Sequence, residues 1–240
     1  MKNVFLIFTL LLGFNGYSTL SADSLKLSVL KQLGIKETEL KEELWAEKVL
    51  PYAKTQTVMV VPHLIDENEI EGMFTLDAVI VVVNNQTGKI IQQYKEENLI
   101  FSDAVFISEF IIDTAPYMLT KQIRAFGIRA QFYGSSHANP YSEVQLSLFV
   151  QEGNSLRQVL KEEVIEQSSG EWNTDCNGRF HDMKSIILFE TETSKSYFNL
   201  VIKKRSSIKL NEKIKGECEE RITDKQEKKK VLHYDGKSYK

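Results

Sequence analysis

From Thr57 onward apolar side chains recur at every second position in run after run, and this period fixes the kind of fold the chain can build. A spacing of two sends successive side chains to opposite faces of an extended strand, whereas a helix face repeats every 3.6 residues. Residues 57–65 form one such run and residues 74–83 another. In the second, Phe74, Leu76, Ala78, Ile80 and Val82 share one face while Val79, Val81 and Val83 fill much of the other. That pattern predicts a central strand covered on both sides. Asn84 to Gly88 then supplies turn residues, and 89–94 returns as the second half of a hairpin.

The alternation continues through 104–112, ended by Pro116, and through 125–133, 144–150 and 156–165. Shorter runs at 184–189, 197–202 and 231–239 complete the set, the last turning at Asp235-Gly236. Between them, 203–230 is crowded with charges of both signs while Ile208, Leu210 and Ile214 still alternate, which predicts long exposed edge strands or a mobile hairpin held by Cys218. The expected class is mainly β, with antiparallel sheets stacked as a sandwich. Stacked blade-like units are the alternative, because three segments, ending near Glu97, Glu166 and Lys240, share a plan of strand, longer strand, glycine turn and returning strand.

The first part of the chain follows a different rule. Lys2, the apolar stretch from Val4 to Phe14 and the small residues up to Ala22 have the make-up of a signal peptide and are too short for a membrane span. The sequence therefore divides into a leader at 1–22, a helical segment at 23–54 packing on the sheet, and a β-rich domain at 55–240. In the helical segment Leu27, Leu30 and Leu33, then Leu40, Leu44, Trp45 and Val49, recur at helical spacing on either side of Gly34, with Asp23 or Ser24 available as a cap and Pro51 as a stop. No later run is apolar enough to span a membrane.

Export sets the redox environment. Cys176 and Cys218 are the two cysteines of the chain, so an oxidising compartment leaves one intramolecular pairing, and a disulfide is expected. The chain carries 30 basic and 33 acidic side chains; loss of Lys2 leaves 29 against 33, a formal charge of about −4. That balance offers no field for nucleic acid.

Two loops carry the candidate chemistry. The first, between two well-patterned strands, holds Tyr133, Ser135, Ser136, His137, Asn139 and Tyr141, a mix of hydroxyl, imidazole and aromatic groups suited to ligand contact, with Trp172 as a further platform residue. The second places oxygen-bearing side chains at Asn173, Asp175 and Asn177 ahead of Gly178, the first half of a calcium loop, with Asp182 as a further ligand. Lys184 stands where such a loop needs its bidentate glutamate. Neither a nucleophile elbow, a zinc-binding His-Glu-x-x-His helix nor a phosphate-binding glycine loop is present. The reading is a non-catalytic binding module of the bacterial periplasm or exterior, for a protein, peptide or glycan partner. A hydrolase assembled in three dimensions from His137, His181, Asp175 and Asp182, across the 133–141 and 171–182 loops, is one alternative, and a calcium-stabilised binding domain is another.

Overall fold

A computed structural model describes residues 19–68, 72–102 and 104–240, so most of the expected leader lies outside the described residues. Among the described residues, eleven strands follow one α-helix, α1 (Ala22–Leu33). β1 (Ala46–Leu50), β2 (Ala53–Asn68), β3 (Met73–Asn84) and β4 (Ile90–Phe101) form a four-stranded sheet in that order. β5 (Val105–Met118), β6 (Arg124–Gly134), β7 (Tyr141–Glu152), β8 (Ser155–Trp172), β9 (Gly178–Ser194), β10 (Tyr197–Ile214) and β11 (Glu217–Leu232) form a seven-stranded sheet, again in chain order. Every ladder is antiparallel. Both sheets are thus meanders joined by short turns, which is why each alternating run finds its partner in the next.

The alternation explains the layers. One face of β3 sends Ile80 and Val82 into a cluster with Val58, Val60, Ile112, Phe126, Ile128 and Phe149, which glues the two sheets together. The other face sends Val79, Val81 and Val83 against Leu25, Val29 and Leu30 of α1. Burying each such side chain contributes roughly 1.5–3 kcal/mol. A third cluster joins Leu146 and Leu148 of β7 and Val159 and Leu160 of β8 to Leu200 and Ile202 of β10 and Leu232 of β11, so the seven-stranded sheet folds over a core of its own. Phe198 N–H donates to the Leu119 carbonyl at 2.8 Å, pinning the start of β10 to the β5–β6 turn.

A sandwich-like β architecture is therefore what the chain forms, and the strands of the three blade-like segments are shared between two sheets. The second helix expected within 23–54 is replaced by single 3₁₀ turns at Glu37–Glu39 and Glu42–Leu44, followed by β1. Tertiary context overrides the local spacing here: β2 has a free edge, and Ala46 to Val49 pair with Val60 to Thr57 along it. In α1 the buried stripe is Leu25, Val29 and Leu30, while Leu27 faces solvent, and the cap is Ser21, whose Oγ accepts from Ser24 N–H at 3.3 Å. Gly34 ends the helix in the left-handed region at φ 71°, where a side chain would be strained.

Pro116 does not end its strand. β5 is an edge strand, and its ladder skips from the Asp113–Gly127 pair to Tyr117–Ala125, so the missing proline N–H falls in an irregularity. The last expected strand shortens to the end of β11, after which Tyr234 and Tyr239 bridge around Asp235-Gly236. Tyr239 N–H donates to the Val159 carbonyl at 2.8 Å, which holds this tail on β8.

The expected disulfide is formed. Cys176, in the β8–β9 turn, is bonded to Cys218 at the start of β11, with Cα atoms 5.7 Å apart. The bond fastens the tip of the β10–β11 hairpin, where Glu217 to Lys230 are exposed except for the half-buried Thr223. Lys203 and Lys204 face Lys229 and Lys228 across that ladder, so cation repulsion works against the pairing that the disulfide secures. No helix among the described residues is long and apolar enough to cross a membrane.

Candidate functional site

The register of β6 to β10 builds one continuous face. Tyr133, Ser142, Ser168, Asp182 and Ser207 form a row across five strands, and Gln131, Val144, Glu166, Lys184 and Arg205 form the row beside it. On the other side, Gly170 pairs with Phe180 and Phe180 with Lys209, then Trp172 with Gly178 and Gly178 with Asn211. Side chains in successive rows of this kind share a face because the strand period is two.

The glycines decide the shape of the aromatic end. A Cβ on Gly170 would lie 2.3 Å from Phe180 Cδ1, and one on Gly178 would lie 2.5 Å from Trp172 Cβ and 2.9 Å from Phe180 Cε2. The Phe180 ring therefore lies across the backbone of its glycine partner, as large rings do when the opposite position carries no side chain. Trp172 is anchored twice to the 133–141 loop. Its Nε1–H donates to the His137 carbonyl at 2.7 Å and its backbone N–H to the Ala138 carbonyl at 3.1 Å, while the His137 ring sits 5.1 Å from the indole.

Together these groups line an open depression of ≈ 510 Å³. Tyr133, Ser135, Ser136, His137, Tyr141 and Trp172, six of the residues expected to bind, meet there. Asn139 does not line it; its N–H donates to Ser136 Oγ at 3.1 Å and so shapes the loop. Phe180 and Asn211 complete the wall, and the sequence reading missed both. The signal for Phe180 was present in the two glycines that bracket Trp172, but it becomes legible once the β8–β9 register is known. Asn211 Oδ1 is buried in this wall without a hydrogen-bond partner, an arrangement that costs free energy until a donor reaches it.

Next to the depression, sharing Tyr133, lies a polar hollow of ≈ 310 Å³ lined by residues that include Arg129, Ser142, Ser168 and Asp182. Burial alone would raise the Asp182 carboxyl, but Ser168 Oγ at 2.8 Å and Lys209 Nζ at 3.0 Å outweigh it and hold the group below the ordinary range. Asp113 follows the same logic. Desolvation opposes its charge, yet the Tyr117 hydroxyl at 2.6 Å, the Ala115 N–H at 2.9 Å and Arg129 Nη2 at 2.6 Å keep it ionised and low. Arg129 is thus held in place by a carboxylate.

The calcium-like turn uses its oxygens internally. Asn173 Oδ1 accepts from Asp175 and Cys176 N–H, Asn177 Oδ1 accepts from Lys213 N–H, and Asp175 pairs with Lys213 Nζ at 2.9 Å. Asp182 stands on the sheet face with Ser168 and Lys209, and Lys184 pairs with Glu166 at 3.2 Å. No group of three or more His, Cys, Asp and Glu side chains able to hold a metal ion occurs among the described residues.

The residues of the hydrolase alternative are likewise apart. His137 is in the depression, Asp175 is on Lys213, and His181 accepts from Arg179 Nε at 3.3 Å. A serine and a histidine do meet elsewhere, Ser194 Oγ lying 3.1 Å from His233 Nδ1, but the serine proton is given to Asn199 Oδ1 at 2.7 Å. His233 Nδ1 also lies 3.2 Å from Asn199 Oδ1, so the three groups form one polar cluster. Compared with known proteins, the chain matches no family model, no curated protein and no solved structure.

Proposed function

We propose that the protein is an exported, non-catalytic binding module that holds a glycan on the β6–β10 face, with sugar rings against Trp172, Phe180 and Tyr133 and hydroxyls over the neighbouring polar row. One observation carries this reading: aromatic rings of four strands and a loop converge on an open depression, and Asn211 in its wall holds a buried Oδ1 acceptor without a partner. An aromatic face suits the C–H side of a sugar, and Ser168, Asp182 and Lys209 supply donors and acceptors for its hydroxyls. Export rests on the leader-like N-terminus and on the disulfide, a bond that persists in oxidising compartments.

The test is a glycan array followed by calorimetry on Trp172→Ala and Phe180→Ala, both checked for fold by circular dichroism. Each variant should bind the best glycan at least about tenfold more weakly, the loss of one central aromatic anchor. Absence of any glycan signal, or retained affinity in both folded variants, overturns the reading; capture of a peptide at the same face overturns the assignment to glycan.

A further inference from the structure

Between the two sheets the core is incompletely filled. A slot of ≈ 100 Å³ is walled by side chains that include Ile80, Phe101, Ile107, Phe110, Ile128 and Phe132. It shares none of its lining with the aromatic depression. Apolar voids of this order stay dry and accept small apolar molecules. The slot opens past Leu99 and Phe101 into an outer hollow of ≈ 320 Å³, where Ile100 is 67% and Val105 41% exposed. An apolar path therefore runs from the surface into the sandwich.

The charge around the opening selects what can follow it. Glu96, Glu162 and Gln145 line the slot, and Glu143 lines the outer hollow. Lys161 neutralises Glu96 at 2.8 Å and stands 3.8 Å from Glu162. Three carboxylates against one ammonium leave the opening negative. Glu162 is also held at φ 48°, a conformation that non-glycine residues seldom adopt, with its N–H bonded to Ser147 Oγ at 3.0 Å. It sits at the irregularity of the β7–β8 ladder between Leu146 and Leu148, where a bulge re-aims a side chain.

We propose that this slot is a second binding site, for the aliphatic tail of a small amphiphile whose head group donates hydrogen bonds and is not an acid. The tail fills the apolar slot and the head meets Glu162 and Gln145 at its opening. The slot itself shares no wall with the aromatic depression, although Tyr141 borders both that depression and the outer hollow.

The full chain, titrated with hexylamine, 1-hexanol and hexanoate, is followed by the methyl NMR signals of Ile107 and Ile128. Hexylamine and hexanol should shift both signals saturably, and hexanoate should bind about tenfold more weakly than hexylamine because its charge meets an acidic opening. Ala130→Leu, which fills the slot, should abolish the shifts. Glu162→Gln, an isosteric change at the surface, should narrow the amine-to-acid difference while leaving the fold intact. No saturable shift with amine or alcohol, equal binding of hexanoate, or undiminished binding by a folded Ala130→Leu protein overturns the proposal.

Discussion

Replacing both Cys176 and Cys218 by alanine tests whether the long hairpin unfolds with the body of the protein. The bond closes a loop spanning 42 positions that contains all of β9 and β10. Chain entropy for a loop of that length amounts to about 4 kcal/mol at 25 °C. Unfolding entropy near the midpoint is roughly 2.1 cal/mol/K per residue, which for 240 residues gives about 0.5 kcal/mol/K and a predicted fall in Tm of about 8 °C. Calorimetry of the double variant, beside wild-type protein held reduced, is the assay, and the two samples should coincide. A fall of less than about 2 °C would refute the reasoning, because the tip would then come apart before the body and the closed loop would not belong to the cooperative unit. Hydrogen exchange at 206–226 would report that separate opening directly.

Three further outcomes follow from contacts on the sheet. Gly170→Ala should destabilise the protein by about 1–3 kcal/mol in urea denaturation and weaken glycan binding, because the added Cβ meets the Phe180 ring at 2.3 Å; in an ordinary strand the same change would stabilise. Acid should weaken the fold through Asp113 and Asp182, both of which titrate below their ordinary range when folded. Their contribution is complete above the unfolded carboxylate pKa of about 4 and is lost as pH falls through the folded values, so stability measured by denaturant midpoint should decline below about pH 4. In Asp113→Asn that acid-dependent loss should shrink, while stability at pH 7 falls by about 3 kcal/mol because Arg129 is left half-buried without its carboxylate.

Much of the strand content was legible because period-two patterning is a local property. The two-sided burial of β3 and the hairpin turn at Asn84 to Gly88 needed no tertiary information. What escaped was set by partners distant in sequence. Residues 46–50 satisfy helical spacing as well as strand pairing, and the open edge of β2 decides between them. Pro116 predicts a stop, since nothing local says that its strand lies at an edge. In the candidate site, the 133–141 loop and Trp172 could be read from turn chemistry and aromatic content, but Phe180 and Asn211 come from strands whose register fixes their neighbours. The calcium-like spacing at 173–177 shows the converse, because oxygen atoms at ligand-like intervals also serve a turn that bonds its own backbone.

The outer reach of β9 to β11 projects past the apolar clusters and is tied down by a covalent bond and by ladder hydrogen bonds. Exposed side chains there, such as Glu219 and Lys225, are under little obligation to fill an interior. Selection could therefore exchange them freely to suit a new ligand, with the body of the molecule left undisturbed.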